Sequence, residues 1–189
     1  WTRVLPSGEG TVNKAGLDFY DRLTDGLLRA GITPFVTLYH WDYPLKLYEK
    51  GGWLKQESSC WFADYVAAVV DRLSDRVRYW FTFNEPHIFV GMGYQQGCHA
   101  PGDRLAFNKV LTIAHNVLLA HGKAVQIIRS RSKSPPIIGY AVAPNEVAVP
   151  ASAHDDDMRM AREVLFAVAD IHCFNNTWWT DPVVFGRYP

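Results

Sequence analysis

Short segments rich in β-branched and aromatic residues recur along the chain, separated by longer segments with helical spacing. Such short apolar segments are typical of buried strands, which run for about four to eight residues. They cover residues 1–5, 33–39, 77–83 and 137–142. We therefore predict four strands over these ranges.

Between the strands, apolar residues recur every three or four positions, which predicts amphipathic helices. These apolar faces cover residues 17–28, 61–73 and 107–125. Asn13 is suitably placed to cap the first helix and Gly31 to end it. A fourth helix is predicted to start at the acidic cluster around Asp155, because acidic groups favour a helix N-terminus, and to run to about Ile171.

Strands and helices alternate four times, which predicts parallel strands joined by right-handed crossovers. The fold class is therefore α/β, with either an open sheet or part of a barrel. The most linker-like stretch, residues 130–136, is short enough to be a loop between a helix and a strand. Since no repeat or long linker interrupts the pattern, we expect residues 1–189 to form a single domain.

Composition excludes some functions and leaves others open. Nineteen basic residues balance nineteen acidic ones without a basic cluster, so we expect no nucleic-acid partner. No apolar run approaches the roughly 20 residues that span a bilayer, and no signal-peptide pattern is visible, so we expect no membrane partner and a cytoplasmic protein. The three cysteines are too few for a disulfide framework. The many aromatic rings fit a core, and they also fit sugar binding.

Polar and aromatic residues follow two consecutive predicted strands. They are His40, Trp41 and Asp42 after the second strand, and Asn84 and Glu85 after the third. The carboxyl ends of parallel strands share one edge of the sheet, where α/β folds place ligands and catalytic groups. These ends therefore bring together a proton donor, groups that hydrogen-bond to hydroxyls, and a ring that can stack on a sugar.

Two groups of potential metal ligands have simpler explanations. His154 precedes three aspartates, but acidic residues at this position favour a helix N-terminus over a metal site. His115 and His121 lie six residues apart on a predicted helix, which is the wrong spacing for two ligands on one face. This spacing indicates packing or surface roles for both, and we expect no metal.

Four motifs follow one another in a fixed order along the chain. They are Leu-Tyr-His-Trp-Asp-Tyr-Pro at residues 38–44, Gly-Gly-Trp at 51–53, Thr-Phe-Asn-Glu-Pro at 82–86 and Ala-Pro-Gly at 100–102. Together they resemble glycoside hydrolase family 1, the β-glucosidases. Asn-Glu-Pro alone also fits other sugar-cleaving barrels, whereas His-Trp-Asp followed by Gly-Gly-Trp and Ala-Pro-Gly is more specific. Further matches extend the resemblance over the whole chain.

The resemblance implies a partial (β/α) TIM barrel, with about strands two to five of eight and their helices. It implies hydrolysis of a small β-glucoside or cello-oligosaccharide with retention of configuration, by two glutamates and without a cofactor. Glu85 matches the family's general acid/base. Asn84 matches the residue that holds the hydroxyl beside the scissile bond, and His40 and Trp41 match the glycone-binding pair. Arg3 matches an arginine near the nucleophile.

The family's nucleophile lies in a Thr-Glu-Asn-Gly or similar motif, and these 189 residues contain no such motif. Retention requires a second carboxyl group about 5 to 5.5 Å from the first. Asp42 and Glu146 both lie near predicted strand ends and are possible substitutes. A structural role suits Asp42 better, and a loop position suits Glu146 better.

Two explanations of the missing motif are left open. Either the chain is part of a longer enzyme, or it is a half-barrel that another copy or another chain closes. Because the open edges of a parallel sheet promote association, we expect self-association or a missing remainder of the barrel. The alternative function is an inactive sugar-binding or oligomer-forming half-barrel.

Overall fold

The computed structural model describes residues 1–143, 147–168 and 171–189. In these ranges, three strands alternate with helices. The strands are β1 (Phe35–Tyr39), β2 (Tyr79–Asn84) and β3 (Ile137–Ala141). The helices are α1 (Lys14–Arg29), α2 (Leu45–Glu49), α3 (Ser58–Leu73), α4 (Pro86–Val90), α5 (Phe107–Arg131), α6 (Asp155–Leu165) and α7 (Asn176–Val184). A 3₁₀ helix covers Gly52–Leu54, and a π-helix covers Gly91–Gln95.

The sheet has the strand order β1-β2-β3, and both strand pairs are parallel. This confirms the pairing predicted from the alternation of strands and helices. β1 and β2 pair in a regular register, from Phe35 opposite Tyr79 to Tyr39 opposite Phe83. The register between β2 and β3 is irregular just before the end of β2.

The strand predicted over residues 1–5 is wrong, because this segment forms turns. The main-chain N–H groups of Val4 and Leu5 both donate to the carbonyl oxygen of Trp1. These same three residues are the buried ones in the segment. Their spacing is that of a helical turn, whereas a strand buries every second residue. The described residues therefore contain three of the four predicted strands.

The first predicted helix is confirmed, although its cap differs from the expectation. α1 begins directly after Asn13 and ends before Gly31, which has a left-handed φ of 72°. The Asn13 side chain makes no cap hydrogen bond, and its Nδ2 instead donates to the main-chain carbonyl of Arg3 (3.0 Å). Asn13 thus joins the helix start to the preceding turns.

The described residues form two compact units. The first comprises Trp1–Asn84 and His115–Ala141, and it contains the sheet with α1, α2, α3 and most of α5. The second comprises the described residues of Glu85–Ala114 and Val142–Pro189, with α4, α6 and α7. That residues 1–189 form a single domain stays a prediction.

In the first unit, an aromatic core lies beneath the carboxyl ends of β1 and β2. Trp53, Phe62 and Phe83 are fully buried. The ring centroid of Phe83 lies 4.6 Å from that of Phe62, 5.8 Å from that of Trp53 and 5.4 Å from that of Tyr39. Each such pair adds about 0.5–1.5 kcal/mol beyond the burial of apolar area. The rings thereby fix the strand residues that directly precede His40 and Asn84.

In the second unit, hydrogen bonds from α7 explain where α6 ends. Helix α6 starts at the acidic cluster as predicted but stops at Leu165, short of the predicted end near Ile171, with residues 169 and 170 outside the described ranges. Nδ2 of Asn176 donates to the Leu165 carbonyl (2.9 Å), and Oγ1 of Thr177 donates to the Phe166 carbonyl (3.2 Å). Side chains of α7 thus donate to carbonyl groups at the end of α6, as the main-chain N–H groups of a further helical turn would do.

Ion pairs join α1 to α3 in the first unit. Arg72 and Arg76 of α3 contact Asp18, Asp21 and Asp25 of α1. Hydrogen bonds from Arg76 and then Arg72 lower the pKa of Asp21 below its usual value. A pKa that is lower in the folded state stabilises the fold above the unfolded pKa of about 3.9, and this contribution is lost as the pH falls through the folded pKa.

We expect Asp21→Asn to lower the free energy of unfolding by about 1 kcal/mol at neutral pH, because partly exposed ion pairs contribute little each. The difference from the wild type should shrink below about pH 4 and disappear in stronger acid. Urea denaturation across this pH range measures both effects. Asp64→Asn, at an exposed position of α3, is the matched control. A loss of stability that persists unchanged in acid would show that the ion pairs of Asp21 are not its cause.

Candidate functional site

Three of the predicted site residues meet at the carboxyl edge of the sheet. His40 and Trp41 directly follow β1, and Asn84 ends β2. Nε1 of Trp41 donates to the main-chain carbonyl of Asn84 (2.9 Å), and Nδ2 of Asn84 lies 3.4 Å from Nε2 of His40. The ring centroids of His40 and Trp41 are 5.4 Å apart. The parallel pairing of β1 with β2 brings these residues together.

This arrangement offers several kinds of contact to a ligand. His40 is exposed, while Trp41 and Asn84 are half-buried. The imidazole and the amide supply hydrogen-bond donors and acceptors, and the indole supplies an apolar ring face. A ligand with many hydroxyl groups and an apolar face matches this set of groups.

Two of the predicted site residues have a strained backbone. Across the described ranges, Trp41 (φ 76°) and Glu85 (φ 42°) are the non-glycine residues with positive φ. This conformation costs on the order of 1–3 kcal/mol per residue and persists only where the surroundings enforce it. For Trp41, the hydrogen bond from its indole to Asn84 is one such constraint. Residues of this kind cluster at functional sites.

Glu85 directly follows Asn84 in the chain and is the first residue of the second unit. It occupies the N-cap position of α4, where its main-chain carbonyl accepts a hydrogen bond from the N–H of Ile88 (3.0 Å). Pro86 occupies the first turn of α4, where its missing N–H costs nothing. Glu85 is half-buried and lies where the chain changes from a strand to a helix.

The guanidinium group of Arg3 contacts two aromatic rings of α1. Its guanidinium carbon is 4.2 Å from the ring centroid of Phe19 and 5.5 Å from that of Tyr20. Exposed cation–π contacts contribute about 0.5–1 kcal/mol. The place of Arg3 beside the nucleophile therefore stays a prediction.

The two possible substitutes for the nucleophile are placed differently. Asp42 accepts a hydrogen bond through Oδ2 from the main-chain nitrogen of Trp1 (2.7 Å), and its side chain is 46% exposed. The structural role that the sequence favours for Asp42 stays a prediction. Glu146 lies outside the described residues.

A cavity of about 350 Å³ lies beside β1 in the first unit. His40 and Asp42 line it together with residues of α1, β1 and α3, including Tyr20 and Thr37. Sequence reasoning missed these helix and strand residues, because their spacing marks them only as facing the core. The His40 side chain therefore adjoins both Asn84 and this cavity.

A buried hydrogen bond beneath the candidate site was also missed. Oγ1 of Thr82, two residues before Asn84, lies 2.8 Å from Nδ1 of His121 on α5. Burial lowers the pKa of His121 to about 4, so its ring is neutral near neutral pH. The sequence analysis predicted only a packing or surface role for His121. The available signal was a threonine between two phenylalanines of a largely aromatic strand, together with a histidine on the apolar side of a helix.

Two further findings concern metals and membranes. Within residues 1–143, 147–168 and 171–189, no group of three or more His, Cys, Asp and Glu side chains is arranged to hold a metal ion. In the same ranges, no helix combines the length and apolar character needed to cross a membrane.

All three cysteines, Cys60, Cys98 and Cys173, are free thiols.

The chain matches the sequence profile described as glycosyl hydrolase family 1 over residues 1–189. Beta-glucosidase A of Thermotoga maritima is 44% identical over 193 residues, which cover 100% of this chain and 40% of that protein. Beta-glucosidase A of Acetivibrio thermocellus is 42% identical over 190 residues, with the same two coverages. Among solved structures, the beta-glucosidase from Thermotoga maritima in complex with deoxynojirimycin gives a TM-score of 0.85 at 40% identity, covering 100% of this chain and 41% of that one.

This chain therefore spans about two-fifths of the length of the relatives it matches. The structural match extends over every element of the chain. The parallel strands and their helices are part of a (β/α) TIM barrel, as the sequence motifs implied.

Proposed function

The chain belongs to glycosyl hydrolase family 1, and from this membership we propose that it acts as a β-glucosidase-type glycoside hydrolase on β-linked glucosides. The observation that carries the proposal is the meeting of His40, Trp41 and Asn84 at the carboxyl edge of the sheet, immediately before Glu85 in the chain. The names of the relatives support a glucoside as the substrate. We infer a small β-glucoside or a cello-oligosaccharide.

In this proposal, Glu85 is the general acid/base. It donates its proton to the glycosidic oxygen as the bond from that oxygen to the anomeric carbon breaks. Asn84 holds the hydroxyl beside the scissile bond through its side-chain amide. His40 binds glucose hydroxyls, and the Trp41 ring packs on the sugar's apolar face. No step needs a cofactor or a metal.

We further propose that the reaction retains configuration, which requires a second carboxylate as nucleophile. Among the glutamates of this sequence, Glu85 alone has the sequence context of a catalytic glutamate of the family, so we assign the nucleophile to residues outside these 189. Arg3 then acts beside it, where a positive charge keeps a carboxylate ionised. The ring contacts of Arg3 with α1 are weak enough for a change of rotamer to exchange them.

The test is release of nitrophenol from para-nitrophenyl β-glucoside by the 189-residue chain, with and without sodium azide. Azide is a small anion that can take the place of a carboxylate nucleophile. Its nitrogen forms the bond to the anomeric carbon as the carbon–oxygen bond breaks, and Glu85 supplies the proton to the departing oxygen. We expect azide to accelerate release and to give α-glucosyl azide, because the attack inverts the anomeric centre.

The para-nitrophenyl α-glucoside is the control substrate and should not react. Azide-independent release of β-glucose would instead indicate a carboxylate supplied by an assembly. Sedimentation velocity on the same samples tests this, because in the described residues β1 and β3 each pair with β2 alone and leave open edges. We expect an oligomer at micromolar concentration.

Absence of both α-glucosyl azide and β-glucose would reject the proposed hydrolysis. Glucose binding without either product would favour the inactive sugar-binding alternative.

A further inference from the structure

The pairing of β2 with β3 shifts just before Asn84. Phe81 pairs with Gly139, and Asn84 pairs with Ala141. Three steps along β2 therefore correspond to two steps along β3, so β2 carries one extra residue in a β-bulge. The pairing of β2 with β1 stays regular as far as Phe83, which pairs with Tyr39. The bulge thus affects one side of β2 only.

The bulge determines which side of the sheet Asn84 occupies. Helices α3 and α5 cover the same face, because both connect neighbouring parallel strands in the same direction. Thr82 contacts His121 of α5 and Phe83 contacts Phe62 of α3, so two consecutive side chains of β2 face these helices.

Side chains alternate along a regular strand, and one extra residue reverses the alternation that follows. Without the bulge, Asn84 would lie on the same side as Thr82, under the helices. With the bulge, Asn84 lies on the opposite side, and its Nδ2 comes within 3.4 Å of Nε2 of His40. The geometry of the candidate site therefore depends on the bulge being held.

The Thr82 side chain is the polar anchor of the bulge. It is fully buried, and its Oγ1 lies 2.8 Å from Nδ1 of His121, which is 9% exposed. The His121 ring also packs on Tyr140 of β3, with centroids 4.7 Å apart. His121 thus contacts both strands across the irregular register. Loss of one partner of a buried hydrogen bond leaves the other unsatisfied, which makes this contact costly to break.

We propose that the hydrogen bond between Thr82 and His121 holds the bulge in β2 and thereby positions Asn84 and the main chain that continues to Glu85. Thr82 and His121 are positioning residues, since Thr82 is buried beneath α5, His121 is a buried residue of α5, and each acts through the other on the strand. The expected effect on the reaction rate rests on the proposed hydrolysis, whereas the effect on the bulge itself can be measured without any activity.

The experiment compares Thr82→Val, which removes only the hydroxyl group, with Thr82→Ser, which keeps it. Val117→Ala is the matched control, because Val117 is a buried residue of α5 outside this contact. In the azide reaction, we expect Thr82→Val to lower kcat about tenfold with KM within about twofold, because slight misplacement of reacting groups slows chemistry. Thr82→Ser should stay within about twofold of the wild type.

Amide hydrogen exchange followed by NMR gives a readout that needs no activity. We expect Thr82→Val to speed the exchange of residues 83–85 about tenfold relative to residues 79–81, because the disturbed part of β2 opens locally. Unchanged exchange at residues 83–85, or a uniform increase that Val117→Ala shares, would overturn the inference. If the wild type forms no product, the proposed hydrolysis fails, and the exchange comparison alone decides on the bulge.

Discussion

Glu85→Gln should lower kcat for para-nitrophenyl β-glucoside in the azide reaction about a thousandfold, because a positioned general acid contributes about 10²–10⁴ in rate. Glutamine keeps the size of the side chain and can still form hydrogen bonds, but its amide N–H groups are far too weakly acidic to protonate the leaving oxygen. KM should change little if Glu85 acts mainly in the transition state. Initial rates of nitrophenol release at saturating glucoside and fixed azide measure the effect.

A second substrate separates proton donation from sugar binding. Dinitrophenyl β-glucoside has a leaving group that departs without a proton, so Glu85→Gln should slow it less than about tenfold. Glu57→Gln, at an exposed position just before α3, is the matched control and should act like the wild type on both substrates. Equal losses on the two glucosides would contradict the role of general acid and would indicate that Glu85 serves binding or folding.

Much of the site's location was predictable from the sequence, because the positions of strand ends were. The runs that became β1 and β2 are aromatic and β-branched, and each is followed at once by polar residues. Parallel pairing then forces His40 and Asn84 onto one edge, and their side chains lie 3.4 Å apart there. The order of strands and helices was thus enough to predict that the two separate motifs form one candidate site.

The sequence did not reveal the turns at residues 1–5 or the bulge in β2. In the first case, a short apolar run fits both a strand and a turn, and only the hydrogen bonds of Val4 and Leu5 to Trp1 distinguish them. In the second case, Thr82 and Phe83 suit a regular strand equally well. The extra residue is visible only in the pairing with β3, which depends on a partner far along the chain.

The strained residues link the candidate site to the aromatic core. Trp41 and Glu85 lie just beyond the ends of β1 and β2, and a positive φ at such residues is kept only by rigid surroundings. The last apolar residues before them, Tyr39 and Phe83, both contact Phe62 of α3. A change in this core should therefore affect the strand ends as well as overall stability.

Phe62→Ala is expected to lower the free energy of unfolding by about 4 kcal/mol, within the range of about 3–5 kcal/mol for removing a buried phenylalanine ring. Phe62 is fully buried, and its ring centroid lies 4.6 Å from that of Phe83 and 6.2 Å from that of Tyr39. The cavity left behind would lie against both strands, which cannot close on it without moving the ends that carry His40 and Asn84. Urea denaturation followed by tryptophan fluorescence measures the loss.

Trp61→Ala provides the matched control, because Trp61 is the preceding residue of α3 and is only half-buried. Although it removes a larger side chain, it should cost less than half as much as Phe62→Ala, since a loss at a partly exposed position leaves no closed cavity. Phe62→Leu keeps most of the buried volume and should cost about 1.5 kcal/mol or less. Equal losses for the two alanine variants would mean that Phe62 is not the centre of the aromatic core. Its ring would then be a poor explanation for the strained backbone at Trp41 and Glu85.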